Sequence, residues 1–345
     1  MFSVDLMLWT VCPDRGDPAD FTGVQAIDGG LDLRRGAHPA TWQLIERVAT
    51  MINTQSDGQG FSSAFQAASR GLSPVSVVTR PEISRERPGL FVFLIDQSQS
   101  MGGRFLDTGY SKAQAVAYTV NQTIYNLILN CMPYGEVEDY YHFAAVGYGG
   151  SEARLAWGGK LEGLQTIPAK KIAANPLRVE AAPDAADGDT YPVWIAPRNQ
   201  GMTPMCQALS CARELIDDWT VDFRQSPPPI VMNITDGEAN DGDIEPVASA
   251  LKQTGTDSGQ TLLFNLCLTG RRETTKTYPA SSEDLPGEYH RKLFDITSEL
   301  PFYMAKVAND LGVETVPGSR GFVYNGDMIS LVHFLTIGTM TANRR

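Results

Sequence analysis

Apolar residues follow two different periods along residues 88–340. Leu90-Phe-Val-Phe-Leu-Ile95 is an unbroken apolar run, typical of a strand buried on both faces of a parallel sheet. Residues 111–131 instead carry apolar side chains at three- and four-residue steps, as one stripe of a helix does. The same patterns predict strands over 140–148, 230–234, 261–268 and 322–324, and helices over 203–219, 244–254, 290–311 (interrupted at Pro301) and 327–339. This alternation predicts an α/β fold, with a doubly wound, mostly parallel sheet and helices on both faces.

The first 87 residues are predicted to form a separate α+β extension that packs on the main domain. Residues 2–11 have a strand pattern and residues 40–53 a helical one, and no motif there carries chemistry. Residues 150–200 are rich in Gly and Pro and contain hairpin-like runs at 177–180 and 191–195. We expect that segment to elaborate the domain of residues 88–340.

Composition excludes several classes of protein. The chain has 345 residues, of which 42% are hydrophobic and 20% charged, as in a folded globular protein. A formal charge of −12 argues against a broad basic face for nucleic acid. Five widely spread cysteines without a CxxC motif argue against zinc and a disulfide framework, and indicate a reducing compartment. The first residues lack a signal-peptide pattern and no apolar run is long enough to span a membrane, so we expect a cytoplasmic protein.

Oxygen-bearing side chains follow the predicted strands. Asp96, Ser98 and Ser100 come directly after the first buried strand, and Asp236 follows the strand that ends at Ile234. In a doubly wound sheet, ligands bind beyond the carboxyl ends of the strands. Thr203 precedes a predicted helix, which it is also expected to cap, with Pro204 at the first helical position. Two carboxylates and three hydroxyls suit a hard cation, Mg²⁺ or Mn²⁺.

These residues resemble a known family. The stretches FLIDQSQSM, GMTPM and NITDGE are similar to the DxSxS…T…D motif of the von Willebrand factor A domain and its metal-ion-dependent adhesion site. The resemblance covers residues 88–340. It implies that Ser98 and Ser100 bind the cation directly, Thr203 directly or through water, and Asp96 and Asp236 mostly through water. It also implies an open coordination position, which a Glu or Asp from a partner protein fills.

The resemblance makes a non-catalytic, Mg²⁺-dependent protein-interaction module the leading functional hypothesis. Such a protein is expected to serve as a scaffold or adaptor in a bacterial stress, signalling or phage-defence system. In one setting, the tellurite-resistance type, its partners are a kinase and a phosphatase. In the other, it is an adaptor of a MoxR-type AAA+ ATPase. The sequence does not choose between them.

Two other functions stay open. Asp96 and Asp236 on Mg²⁺ suit a metal-dependent hydrolase, although no general base is identified. Alternatively, the chain is a structural subunit with a vestigial site. Outside the motif, Asp241, Asp243 and Glu245 suggest either a second cation site or, more simply, a solvated acidic turn that begins a helix. Four tyrosines around the second strand fit either a partner-binding surface or the core: Tyr134, Tyr140, Tyr141 and Tyr148. Glu238 is next to the motif and is expected only to shape the rim of the site. Isolated histidines and a small basic loop have no assigned chemistry: His38, His142, His290, His333, Arg271, Arg272 and Lys276.

Overall fold

The structure of the protein is a computed structural model that describes residues 83–105, 108–133, 135–181, 190–270 and 273–340. The strand predicted at 2–11 and the helix predicted at 40–53 lie outside these residues. So does the predicted N-terminal extension, apart from residues 83–87. Its role stays a prediction.

The described residues form short strands and longer helices in alternation. The strands are β1 (Gly89–Asp96), β2 (Tyr141–Gly149), β3 (Glu152–Leu155), β4 (Ile167–Pro168), β5 (Arg178–Ala181), β6 (Thr190–Val193), β7 (Ile230–Thr235), β8 (Gly255–Thr256), β9 (Gly259–Gln260), β10 (Leu262–Cys267), β11 (Lys276–Thr277) and β12 (Phe322–Tyr324). The helices are α1 (Lys112–Leu129), α2 (Ala169–Ala173), α3 (Met205–Asp222), α4 (Ile244–Gln253), α5 (Gly287–Ile296), α6 (Phe302–Asp310) and α7 (Met328–Gly338). Over the described part of the chain, no helix is long and apolar enough to cross a membrane.

The main sheet has the order β11-β12-β10-β7-β1-β2-β3, with β4 also paired to β2. The five strands β12, β10, β7, β1 and β2 run parallel, and β11, β3 and β4 are antiparallel additions at the edges. The predicted doubly wound, mostly parallel sheet is therefore confirmed.

Helices cover both faces of this sheet. Leu90, Val92 and Leu94 of β1 belong to one buried cluster with residues of α3, α4 and α5. Because side chains alternate along a strand, the intervening residues of β1 face the other side. Helices α1 and α7 contact the sheet without contributing to that cluster. All of β1 is buried, as its unbroken apolar run predicts.

The segment 150–200 adds structure beside β2. Strands β3 and β4 both pair with β2, which places them at that edge of the sheet. The two hairpin-like runs correspond to β5 and β6, which pair with each other in a small separate sheet. Strands β3 and β4 thus widen the main sheet beside β2, and the interpretation of the whole segment as an elaboration stays a prediction.

The predicted cap of the helix after Thr203 is wrong. Helix α3 begins at Met205, one residue after the predicted first helical position, Pro204. Pro204 is the N-cap residue, and its side chain makes no capping hydrogen bond. The carboxylate of Asp241 supplies the missing acceptors instead, taking the N–H groups of Cys206 and Gln207 at 3.0 and 2.9 Å. A helix N-terminus that is capped from a distant loop leaves no local signal in the sequence.

The acidic residues Asp241, Asp243 and Glu245, one candidate for a second cation site, lie around the N-termini of two helices. Asp243 is the N-cap of α4 and accepts the N–H of Glu245 at 3.2 Å. Asp241 and Asp243 both accept N–H groups at helix N-termini. These residues therefore form an acidic turn that begins a helix, the simpler of the two interpretations of their sequence.

Candidate metal centre

The sheet order places Asp96 and Asp236 side by side. Strands β1 and β7 are parallel neighbours, paired from Phe91–Ile230 to Ile95–Ile234. Asp96 ends β1, and Asp236 directly follows β7. The helices that follow these two strands, α1 and α4, lie on opposite faces of the sheet. Such a reversal opens a crevice at the carboxyl ends of the strands, which is the usual ligand site of a doubly wound sheet.

Asp96 is fully buried at the carboxyl end of β1. Its Oδ1 accepts the N–H of Ser98 at 2.8 Å, and its Oδ2 accepts the hydroxyl of Thr235 at 2.7 Å. The N–H of Asp236 lies 3.4 Å from the same Oδ2. Burial raises the pKa of Asp96 to about 6, although the bonds from Ser98 and Thr235 act in the opposite direction. The hydrogen bonds from Ser98, Thr235 and Asp236 orient the carboxylate.

The two serines connect Asp96 to Asp236. The hydroxyl oxygens of Ser98 and Ser100 are 3.0 Å apart, within hydrogen-bonding distance. The Ser100 hydroxyl donates to Asp236 Oδ1 at 2.6 Å. The other oxygen of Asp236 contacts the ammonium group of Lys112, at the start of α1. The Asp236 side chain is fully buried.

Thr203 lies on a segment that is tied to the same loop. The N–H of Gln99 donates to the carbonyl of Gly201 at 3.0 Å, and the N–H of Gln200 donates to the carbonyl of Gln97 at 2.7 Å. Among the described residues, the Thr203 hydroxyl makes no hydrogen bond to the other four predicted ligands. The structure therefore brings Asp96, Ser98, Ser100 and Asp236 into one connected group and places the Thr203 segment beside it.

Glycine makes the close approach of these loops feasible. A Cβ on Gly149 would lie 2.3 Å from the carbonyl oxygen of Gln97. Gly201 has φ +65°, and a Cβ there would lie 2.4 Å from the Cα of Gly150. A side chain at either position would push apart the loops that carry the predicted ligands.

The donor set suits a hard divalent cation. It combines two carboxylates with neutral hydroxyls, and such oxygen ligands are those that Mg²⁺ and Mn²⁺ prefer. The carboxylates are buried, whereas Gln99, Ser100, Gly201 and Met202 around them are exposed. In the part of the chain that the structure describes, no group of three or more His, Cys, Asp or Glu side chains is arranged to hold a metal ion, at the strand ends or elsewhere. With only two carboxylates at the strand ends, a cation there would also need the hydroxyls as ligands.

Two neighbours of this group were not predicted from the sequence. Thr235 donates its hydroxyl to Asp96, and Lys112 pairs with Asp236. A signal for Lys112 does exist, because a cation in the first turn of a helix opposes the helix dipole. A buried lysine at that position is favourable only beside a carboxylate, and here Asp236 provides it.

Four of the other candidate residues have described burial or contacts outside the group of predicted ligands. Tyr141 and Tyr148 are buried in the core. The Nδ1 of His142 accepts the indole N–H of Trp219 at 3.0 Å. Lys276 lies 3.8 Å from Asp284. His38, Tyr134, Arg271 and Arg272 lie outside the described residues.

No protein-family model matches the sequence, and a search of curated proteins finds no match. Solved structures do match. Proximal thread matrix protein 1 of the mussel byssus is 14% identical over 73% of this chain and 47% of that chain, with a TM-score of 0.40. The manganese-loaded TRAP protein of Plasmodium vivax is 14% identical over 73% and 72%, with a TM-score of 0.34. The pilus adhesin SpaC of Lactobacillus rhamnosus GG is 13% identical over 72% and 30%, with a TM-score of 0.38. The chain thus spans less than half of the mussel protein and of the pilus adhesin.

Proposed function

We propose that this protein is a non-catalytic interaction module of the von Willebrand factor A type, which binds a partner protein through a divalent cation. One observation carries the proposal. Asp96, Ser98, Ser100 and Asp236 form a connected group at the carboxyl ends of β1 and β7, in the order and context of the DxSxS…T…D motif. Mg²⁺ or Mn²⁺ would be held by these residues together with Thr203.

The chemistry of the group favours binding over hydrolysis. Neutral hydroxyls leave a bound cation with positive charge that a partner's Glu or Asp carboxylate would satisfy. Ser100 is exposed, whereas Ser98 and the two carboxylates are buried, so the cation would face solvent on the side of Ser100. Met202, 61% exposed, offers an apolar contact beside this opening. We place the module in the cytoplasm, as a scaffold beside a kinase and a phosphatase or as an adaptor of an AAA+ ATPase.

Metal binding is the first test. Mn²⁺ titrated into the full chain should bind with a stoichiometry of one site. Asp96→Asn should weaken that affinity by about 10–100-fold, the usual effect of losing a group that orients metal ligands. Asp217→Asn is the matched control, because Asp217 is an exposed carboxylate on α3. Equal affinity in Asp96→Asn and the control would contradict the assigned site.

Partner capture is the second test. Wild type and Ser98→Ala would each be used as bait in an extract of the source organism, with Mg²⁺ or with EDTA. A partner that is retained only by wild type with Mg²⁺ is the expected result. Retention of the same partner under all four conditions would show that the interaction does not use the cation, and would overturn the proposal.

A further inference from the structure

Lys112 occupies an unusual position beside the predicted metal ligands. It is the first residue of α1, and its side chain is only 10% exposed. Its ammonium group contacts Asp236, whose side chain is fully buried. A buried cation at a helix N-terminus is unfavourable unless a carboxylate compensates it, since the helix dipole adds to the desolvation penalty.

The backbone holds Lys112 at this place. The N–H of Lys112 donates to the carbonyl of Gly103 at 3.0 Å, and the N–H of Gly103 donates to the carbonyl of Ser100 at 3.0 Å. The side chain then passes over Gly103, where a Cβ would lie 3.6 Å from Lys112 Cε. The backbone of Lys112 is therefore tied to the loop of Ser100, one of the predicted ligands, and its ammonium group is held by Asp236.

We propose that Lys112 is a tethered cation that neutralises Asp236 when no metal is bound and competes with the divalent cation for that carboxylate. The inference rests on the proposed function, because it concerns the same site. Asp96 and Asp236 together carry two negative charges, and Lys112 offsets one of them. A divalent cation entering the site must share Asp236 with Lys112 or displace it, and either costs binding free energy.

The competition has a consequence for the partner. With the cation bound and Lys112 nearby, the positive charges at the site exceed the negative ones. A partner's carboxylate restores the balance, so the cation and an acidic ligand favour each other's binding. Lys112 thus makes cation binding depend more strongly on an acidic partner than the carboxylates and hydroxyls alone would.

The test is a calorimetric titration of Mn²⁺ alone into the full chain, in a buffer free of carboxylates. Lys112→Met should bind Mn²⁺ at least about fivefold more tightly than wild type, the lower end of ordinary coupling between two binding events. Lys112→Arg keeps the positive charge and should stay close to wild type. Lys170→Met removes an exposed lysine of α2 and is the matched control for net charge. If Lys112→Met does not fold by near-ultraviolet circular dichroism, Lys112→Gln takes its place.

The outcomes separate this inference from the proposed function. Tighter binding in Lys112→Met, including binding where wild type has none, supports the competition. Affinity equal to that of Lys170→Met, or weaker, overturns the role of Lys112 and leaves the metal site standing. Absence of Mn²⁺ binding in wild type and in every variant overturns the proposed function together with this inference.

Discussion

At the scale of single residues, His142 is a buried titratable group outside the metal centre. It lies in β2, and its Nδ1 accepts the indole N–H of Trp219 on α3 at 3.0 Å. Burial lowers the pKa of His142 to about 4, although the charge of Asp139 acts in the opposite direction. The imidazole is therefore neutral in the folded protein, as its role as an acceptor also requires.

This depressed pKa predicts a loss of stability in mild acid. Between pH 6.5 and 4 the unfolded chain takes up a proton at His142 that the folded chain does not, so stability falls as the pH falls. His142→Asn keeps an acceptor and removes the titration. The stability advantage of wild type over this variant should shrink by about 2 kcal/mol from pH 7 to pH 5, measured by urea unfolding.

Trp219→Phe separates titration from hydrogen bonding. It removes the donor and leaves the imidazole, so it should lower stability at both pH values and keep the dependence on pH. A wild-type advantage over His142→Asn that stays constant between pH 7 and pH 5 would contradict a neutral buried His142.

At the scale of elements, the N-terminus of α3 depends on a residue 35 positions away. Asp241 accepts two N–H groups of α3 and places its negative charge at the positive end of the helix dipole. Asp241→Ala should cost about 1–2 kcal/mol of stability in guanidinium unfolding, as for other capping residues. Asp241→Asn retains one acceptor and should cost less. Asp217→Ala, on the exposed side of the same helix, should change stability by less than about 0.5 kcal/mol. An equal cost for Asp241→Ala and Asp217→Ala would show that the cap contributes nothing.

The elements differ in how far the sequence predicts them. The apolar run of β1 is unbroken, and those of β7 and β10 are each interrupted by a single Asn. Helix α1 has an apolar stripe preceded by a Ser111 cap. Both the buried strands and this helix therefore follow from the hydrophobic pattern. The start of α3 does not follow from its own sequence pattern, because its cap, Asp241, comes from outside the helix. Strands β3 and β11 are short edge strands without complete burial, and neither has a period long enough to detect.

The same contrast applies to the candidate site. Asp96, Ser98, Ser100 and Asp236 follow buried strands, and parallel strands bring such residues to one edge, so their meeting is predictable. Lys112 follows a loop and reaches Asp236 across 124 positions. Its pairing depends on how that loop folds back toward Ser100, which neither periodicity nor the motif encodes.

At the scale of the whole molecule, a buried chain of hydrogen bonds crosses the sheet. The Tyr148 hydroxyl donates to Asn233 Oδ1 at 2.6 Å, and Asn233 Nδ2 donates to Asn265 Oδ1 at 2.9 Å. Asn265 Nδ2 then donates to the hydroxyl of Thr297 at 2.7 Å, just after α5. Asn233 and Asn265 are register partners on β7 and β10. The sequence indicates these hydrogen bonds only in part, because the apolar runs of β7 and β10 each contain a single Asn.

This chain predicts that the two asparagines are energetically coupled. Asn233→Leu leaves the Tyr148 hydroxyl with only its longer bond to the Ile234 carbonyl, at 3.3 Å, and leaves Asn265 Oδ1 without the Asn233 donor. It should cost about 2–4 kcal/mol of stability, since a buried unsatisfied group costs about 1–3 kcal/mol and a lost hydrogen bond about 0.5–1.5 kcal/mol. Asn265→Leu should have a similar cost. The double variant removes both amides, so its cost should fall short of the sum of the single costs by about 0.5–3 kcal/mol, measured by guanidinium unfolding. Costs that add to within about 0.5 kcal/mol would show that the two amides act independently. The polar chain would then not connect β2, β7, β10 and α5 into one cooperative unit.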